Sequence, residues 1–91
     1  MVTVETVVQN KHGFHVRPCQ QFLKMTQNFV SKITVINVDK EIVADGKNPF
    51  ALMQLMASRG TYLQIRAEGE DEEAATAALS GLVANRFGGI D

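Results

Sequence analysis

The two prolines of this chain place two helix starts, and no other residues constrain its folding as strongly. Proline fits the first turn of a helix because the backbone N–H that it lacks would have no partner there. Pro18 therefore predicts one helix start, and Pro49, preceded by the N-capping residue Asn48, predicts a short helix over residues 49–56. The residues after Pro18 that share one helical face are Cys19, Phe22, Leu23 and Thr26.

Four segments have the apolar and polar alternation of strands with one buried face. They lie at about residues 2–8, 32–35, 42–44 and 61–67. A last helix is predicted after the acidic residues 70–73, because negative charge is favourable at a helix N-terminus. Its apolar stripe contains Ala75, Leu79 and Leu82, and Arg86 lies in its last turn. Phe87 either extends this stripe or begins a loose tail over residues 87–91.

The predicted order of elements is β-α-β-β-α-β-α, which indicates an α+β fold. The helices have apolar faces that need one sheet face to cover, so we expect an open-faced β-sandwich. This is a four-stranded antiparallel sheet with three helices on one face. The uncovered face would carry Thr3, Glu5, Lys32 and Thr34. A chain of 91 residues is expected to form one domain over residues 1–91.

Composition excludes several classes of protein. The formal net charge of −1 gives no bulk attraction to nucleic acid or to a membrane surface. The predicted strands also lack the basic surface with interleaved aromatic residues that a small RNA-binding domain would need. A single cysteine excludes an intramolecular disulfide, and no segment resembles a signal peptide or a membrane span. We therefore expect a soluble, cytoplasmic protein.

The segment Gly13-Phe14-His15-Val16-Arg17-Pro18 carries the chemistry that the sequence predicts. Free N–H groups and the helix dipole make a helix N-terminus an anion site, and this field favours a neutral, nucleophilic imidazole. The Arg17 guanidinium has a planar fork that suits phosphate oxygens. His15 and Arg17 thus form a candidate phosphoryl acceptor. The competing interpretation is an ordinary surface histidine beside a solvated arginine.

His12, His15 and Cys19 offer a second competing interpretation, because they could be three metal ligands. Cys19 lies on the apolar stripe of its helix, and a fourth ligand for a tetrahedral site is missing. We therefore expect no metal. Cys19 is predicted to be a small core residue rather than a redox switch, and His12 a solvated loop residue.

The hexapeptide at residues 13–18 resembles the G-x-H-x-R-P motif of HPr, the phosphocarrier of the bacterial sugar phosphotransferase system. The similarity extends through the preceding Asn10-Lys11, the second helix and the last helix, and covers nearly the whole chain. It implies that His15 accepts a phosphoryl group through Nδ1 from phosphorylated enzyme I and passes it to a IIA domain. Val16 and Arg17 would hold the phosphoryl group. No cofactor and no metal are implied, and the carrier is expected to be a monomer.

The second helix has more apolar residues than one core face can hold, so some of them must be exposed. In the HPr family the second helix and the outer face of the first contact enzyme I and IIA domains. By position, this resemblance assigns the partner-binding face to Val16, Gln20, Lys24, Pro49, Phe50 and Met53.

One position departs from the family pattern. Many relatives of Gram-positive type have a regulatory serine at the start of the second helix, and this chain has Asn48 there. The preceding loop is also about two residues longer, through Asp45-Gly46, as in the nitrogen-branch relative NPr. Sugar uptake is the first functional hypothesis, and a regulatory nitrogen-branch phosphocarrier with no direct transport role is the alternative.

Overall fold

The computed structural model describes residues 1–89, which form eight elements. In chain order they are β1 Val2–Val7, α1 Val16–Thr26, β2 Lys32–Asn37, β3 Ile42–Asp45, α2 Pro49–Met53, β4 Tyr62–Glu68, α3 Glu72–Ala84 and α4 Arg86–Gly89. The predicted order of the first seven elements is confirmed. The segment labelled α4 is an addition that the sequence did not indicate, and its positive φ angles make it a left-handed turn rather than a regular α-helix.

The four strands form one antiparallel sheet in the order β1-β4-β2-β3. Ile65 lies at its centre, opposite Val4 on one side and Val35 on the other. Residues on the covered face are almost completely buried; they are Ile33, Val35, Ala44, Leu63, Ile65 and Ala67. On the other face Thr3, Glu5 and Lys32 are exposed and Thr34 is half-buried. The predicted open-faced sandwich is therefore correct.

Helices α1 and α3 cover one face of the sheet with the apolar side chains that lie on one face of each helix. Residues buried by α1 are Pro18, Cys19, Phe22 and Thr26, and those buried by α3 are Ala75, Thr76, Leu79 and Val83. Leu23 and Leu82 are only half-buried, at the edges of these stripes. At α2 the Asn48 side chain caps the helix, because its Oδ1 accepts hydrogen bonds from the backbone N–H groups of Phe50 and Ala51 at 3.0 and 3.2 Å.

The second helix is shorter than predicted. It ends at Met53 instead of residue 56, and the Gln54 N–H closes its last turn on the carbonyl groups of Phe50 and Ala51. Met56 then has a φ of 55°, which a helix cannot contain. This change of direction turns Leu55 into the core and leaves Met56 exposed.

The end of the third helix also differs from the prediction. Helix α3 stops at Ala84, so Arg86 lies beyond its last turn. Arg86 and Phe87 both have a φ of 55°, and this reversal returns the Phe87 ring to the core. Phe87 therefore neither extends the helical stripe nor begins a loose tail. Ile90 and Asp91, which the predicted tail includes, lie outside the described residues.

Candidate functional site

His15 is the N-capping residue of α1, and it caps with its backbone alone. Its φ and ψ of −90° and −167° are extended, and its carbonyl oxygen accepts the hydrogen bond from the Cys19 N–H at 3.0 Å. The His15 side chain makes no capping hydrogen bond. The imidazole thus stands at the positive end of the helix without being used to hold the helix together.

The two nitrogens of the His15 ring differ in their surroundings. Nε2 is buried, and within residues 1–89 it has no hydrogen-bond partner. The residue as a whole is half-buried. The ring of His12 stands edge-on to it, with 5.9 Å between ring centroids.

Gly13 fixes the loop before His15 by a close backbone approach. It has a φ of +66°, and a Cβ atom at this position would lie 2.2 Å from the Ala57 carbonyl oxygen and 2.8 Å from the Ser58 Cα. No side chain fits this space, so glycine is required. The structure shows that it makes room for the chain's own residues 57–58.

Two further residues hold this loop, and the sequence motif gave neither of them a role. Phe14 is 6% exposed and packs edge-to-face on Phe22 and Phe87, with centroid distances of 5.5 and 5.1 Å. Its backbone N–H donates to the Ala57 carbonyl oxygen at 2.9 Å. Asn10 is fully buried, and its side-chain amide donates to the Gly13 carbonyl oxygen at 2.6 Å. The position of His15 is thus set from both sides.

The residues assigned to partner binding lie on the exposed sides of α1 and α2, two helices that pack against each other. Val16, Arg17, Gln20 and Lys24 are exposed on α1. Pro49 and Met53 are exposed on α2, and Phe50 is 79% exposed although it is aromatic. The next residues toward the core, Leu52 and Leu55, are fully buried. Met56, which directly follows Leu55, is also exposed, although the assignment did not include it.

Cys19 is a core residue. It is 3% exposed, and its Sγ donates to the Phe14 carbonyl oxygen at 3.6 Å. Burial raises the pKa of the Cys19 thiol to about 11, so the thiol remains protonated at neutral pH. Among residues 1–89, no three His, Cys, Asp or Glu side chains are grouped as metal ligands. His12 and His15 are neighbours, but Cys19 does not join them in a three-ligand group.

No helix within residues 1–89 is long and apolar enough to span a membrane.

The family model described as "PTS HPr component phosphorylation site" matches residues 2–85.

Three known proteins show the extent of the similarity. The phosphocarrier protein HPr of Borreliella burgdorferi is 40% identical over 91% of this chain and 94% of its own. The multiphosphoryl transfer protein of Salmonella typhimurium is 34% identical over 97% of this chain, which corresponds to 24% of that protein. The crystal structure of HPr-C-His from Thermoanaerobacter tengcongensis superposes with a TM-score of 0.91, at 34% identity and 98% coverage of both chains. The chain belongs to the HPr family of phosphocarrier proteins of the phosphotransferase system.

Proposed function

We propose that this protein accepts a phosphoryl group on Nδ1 of His15 from phosphorylated enzyme I and passes it to a IIA domain. The observation that carries the proposal is the position of His15, whose backbone caps α1 while its imidazole stays outside the capping network. Burial of Nε2 supports Nδ1 as the accepting nitrogen. The proposal places the protein in the cytoplasm as a monomer.

The transfer needs only positioning and charge compensation. The Nδ1 lone pair attacks phosphorus in line, the N–P bond to the donor histidine breaks, and its electron pair returns to that histidine. Negative charge on the phosphoryl oxygens then faces the first N–H groups of α1, at Val16 and Arg17, which have no partner within the helix. The exposed Arg17 guanidinium adds a permanent positive charge.

The experiment is incubation with enzyme I and phosphoenolpyruvate, followed by intact mass measurement. We expect one acid-labile phosphate on the wild-type chain and none on the His15→Ala variant. His12→Ala is the matched control, because its ring contacts that of His15 but is exposed in the loop. Phosphate on His15→Ala, or its loss from His12→Ala alone, would show that the assignment is wrong.

The acceptor is proposed to be a IIA domain of sugar uptake, since the relatives named above are HPr proteins and a multiphosphoryl transfer protein. The regulatory nitrogen branch is the second candidate, and the longer loop before α2 favours it. Gly46 in this loop approaches β2 so closely that its Cβ would lie 2.4 Å from the Ile33 side chain. Transfer rates to purified IIA domains of both branches would decide, and at least a ten-fold preference for the nitrogen-branch domain would reject sugar uptake.

A further inference from the structure

We infer, resting on the proposed function, that Asn10 is a positioning residue for His15. Its side-chain oxygen keeps the imidazole proton on Nε2 and thereby leaves the lone pair of Nδ1 available to phosphorus. Within residues 1–89, two buried side-chain polar atoms have no hydrogen-bond partner, and they are Asn10 Oδ1 and His15 Nε2. Both belong to the loop before α1. Unpaired buried polar atoms are rare because their desolvation is costly, so two in one short loop call for a common explanation.

The orientation of the Asn10 amide is fixed by its other hydrogen bond. Its Nδ2 donates to the Gly13 carbonyl oxygen at 2.6 Å. A carbonyl oxygen only accepts hydrogen bonds, so the amide cannot be reversed, and Oδ1 is the atom left to accept. The same Gly13 carbonyl oxygen accepts from the His15 N–H at 3.0 Å. Asn10 and His15 are therefore anchored on one backbone group.

The backbone donors of residues 13–15 are already used and do not serve Asn10 Oδ1. The Gly13 N–H donates to the Asn10 carbonyl oxygen at 3.3 Å. The Phe14 N–H donates to the Ala57 carbonyl oxygen at 2.9 Å, and the His15 N–H is taken by Gly13. The buried donor that this loop can still offer is Nε2–H of His15, whose side chain makes no capping hydrogen bond that would hold the ring elsewhere.

Pairing with an amide oxygen selects one form of the imidazole. The oxygen of asparagine carries no proton, so the nitrogen that faces it has to be the one that donates. In a neutral imidazole one nitrogen has the proton and the other has the lone pair. With the proton held on Nε2 by Asn10, the lone pair of His15 lies on Nδ1, the nitrogen that the proposed transfer uses.

The same hydrogen bond becomes stronger when the phosphoryl group arrives. As the N–P bond to Nδ1 forms and the bond to the donor histidine breaks, the proton remains on Nε2, so the His15 ring acquires a positive charge. A hydrogen bond donated by a charged group is stronger than one donated by a neutral group. Asn10 therefore stabilises the phosphorylated form of His15 more than the free form.

The test begins with long-range ¹H–¹⁵N spectra of the unphosphorylated protein, labelled with ¹⁵N at histidine, under mildly alkaline conditions in which imidazole is neutral. We expect wild-type His15 to have its proton on Nε2 alone. In Asn10→Ala the shifts of the two ring nitrogens should move toward each other, because both tautomers become populated. The equilibrium constant for phosphoryl transfer from enzyme I should fall about five-fold, the difference between hydrogen bonds from charged and from neutral donors.

Three further variants separate this role from support of the loop. Asn10→Asp has the same shape and retains an accepting oxygen, so it should keep the proton on Nε2 although it loses the donor to Gly13. Phe14→Leu loosens the packing of the loop, and His12→Ala removes the ring next to His15. Neither should change the tautomer, because both leave Asn10 in place.

A wild-type ring with its proton on Nδ1 would overturn the inference, whether or not any variant folds. An unchanged tautomer or an unchanged equilibrium constant in folded Asn10→Ala would also overturn it, as would an equal change of tautomer in Phe14→Leu. The spectra use neither enzyme I nor phosphate. A failure of the carrier function would instead appear as a wild-type chain that gains no phosphate mass.

Discussion

His15 and Asn48 are both N-capping residues, but they cap their helices with different groups. Asn48 uses its side-chain oxygen to accept hydrogen bonds from the first turn of α2. His15 contributes only its backbone to α1. A side-chain cap typically contributes about 1 kcal/mol. The chain forgoes that contribution at α1, which is consistent with a residue retained for its chemistry.

Arg17 is predicted to act on the phosphoryl group and not on stability. Arg17→Ala should slow phosphoryl transfer from enzyme I at least ten-fold, because it removes the permanent cation beside the reacting group. The melting temperature should change little, since Arg17 is exposed and an exposed cation contributes only about 0–1 kcal/mol to stability. Arg66→Ala, which removes an exposed arginine from the open sheet face, is the control. Wild-type transfer rates in Arg17→Ala would reject the role.

Position 48 makes a further prediction at this scale. Asparagine retains the capping function of a serine but has no hydroxyl group to phosphorylate. An HPr serine kinase with ATP should therefore add no phosphate near α2, as peptide mapping would show. Asn48→Ser should fold normally, because serine caps equally well, and it serves as the positive control for kinase access. Stoichiometric phosphate on Ser58 or Thr61 of the wild-type chain would contradict the prediction.

Helix α2 has two different faces within five residues. Leu52 is fully buried, whereas Phe50 is 79% and Met53 is 45% exposed. Exposed Met and Phe side chains next to one another are typical of surfaces that bind proteins. The helix therefore joins the core to the predicted partner-binding face.

Phe50→Ala is the corresponding element-scale prediction. We expect enzyme I to bind about 1–3 kcal/mol more weakly, because a central aromatic residue is a common anchor of interfaces. Stability should change little, since the ring contributes almost nothing to the core. Val43→Ala, which truncates a side chain that is 65% exposed on the open sheet face, should bind as the wild type does. A large loss of stability with unchanged affinity would show that Phe50 supports the fold instead.

The sequence predicts the elements of this fold better than their ends. Alternation and helical spacing depend on local residue order, so four strands and three helices could be placed. The ends of α2 and α3 depend on Met56, Arg86 and Phe87, three non-glycine residues with left-handed backbones. Nothing in their side chains signals that conformation, because tertiary contacts impose it.

In the site, too, the residues of a local motif could be predicted, whereas contacts between distant segments could not. His15 and Arg17 belong to a local motif and could be singled out from spacing. The packing of Gly13 on Ala57, and of Phe14 on Phe87, joins segments far apart in the chain. Local patterns contain no information about such contacts, which is why these supports of His15 were missed.

At the scale of the whole molecule, one carboxylate joins the end of the first β-α unit to the start of α3. The Asp71 carboxylate accepts hydrogen bonds from the backbone N–H groups of Val30 and Ser31, at 2.9 and 3.0 Å, and from the Ser31 hydroxyl. Gly69 makes this approach possible, since a Cβ there would lie 2.8 Å from the Ser31 Cα. These hydrogen bonds, that of the Ser31 hydroxyl first, hold the pKa of Asp71 below its usual value.

The lowered pKa predicts how stability depends on pH. Folding favours the ionised form of Asp71, so its contribution to the free energy of unfolding is complete above the unfolded-state pKa of about 3.9 and is lost as pH falls through the lower folded-state pKa. Asp71→Asn should therefore be less stable than the wild type at pH 7. The difference in free energy of unfolding between the two proteins, measured by urea unfolding, should disappear when the pH falls below the folded-state pKa of Asp71. Glu73→Gln removes a carboxylate from the same turn of α3 and controls for the change in net charge. Because the pKa of Glu72 is also lowered, chiefly by the Gly69 N–H, the wild-type curve alone does not isolate Asp71, and the difference between the two variants does. A gap for Asp71→Asn that is constant from pH 7 to the acid limit would mean that the link between α3 and residues 30–31 does not depend on the charge of Asp71.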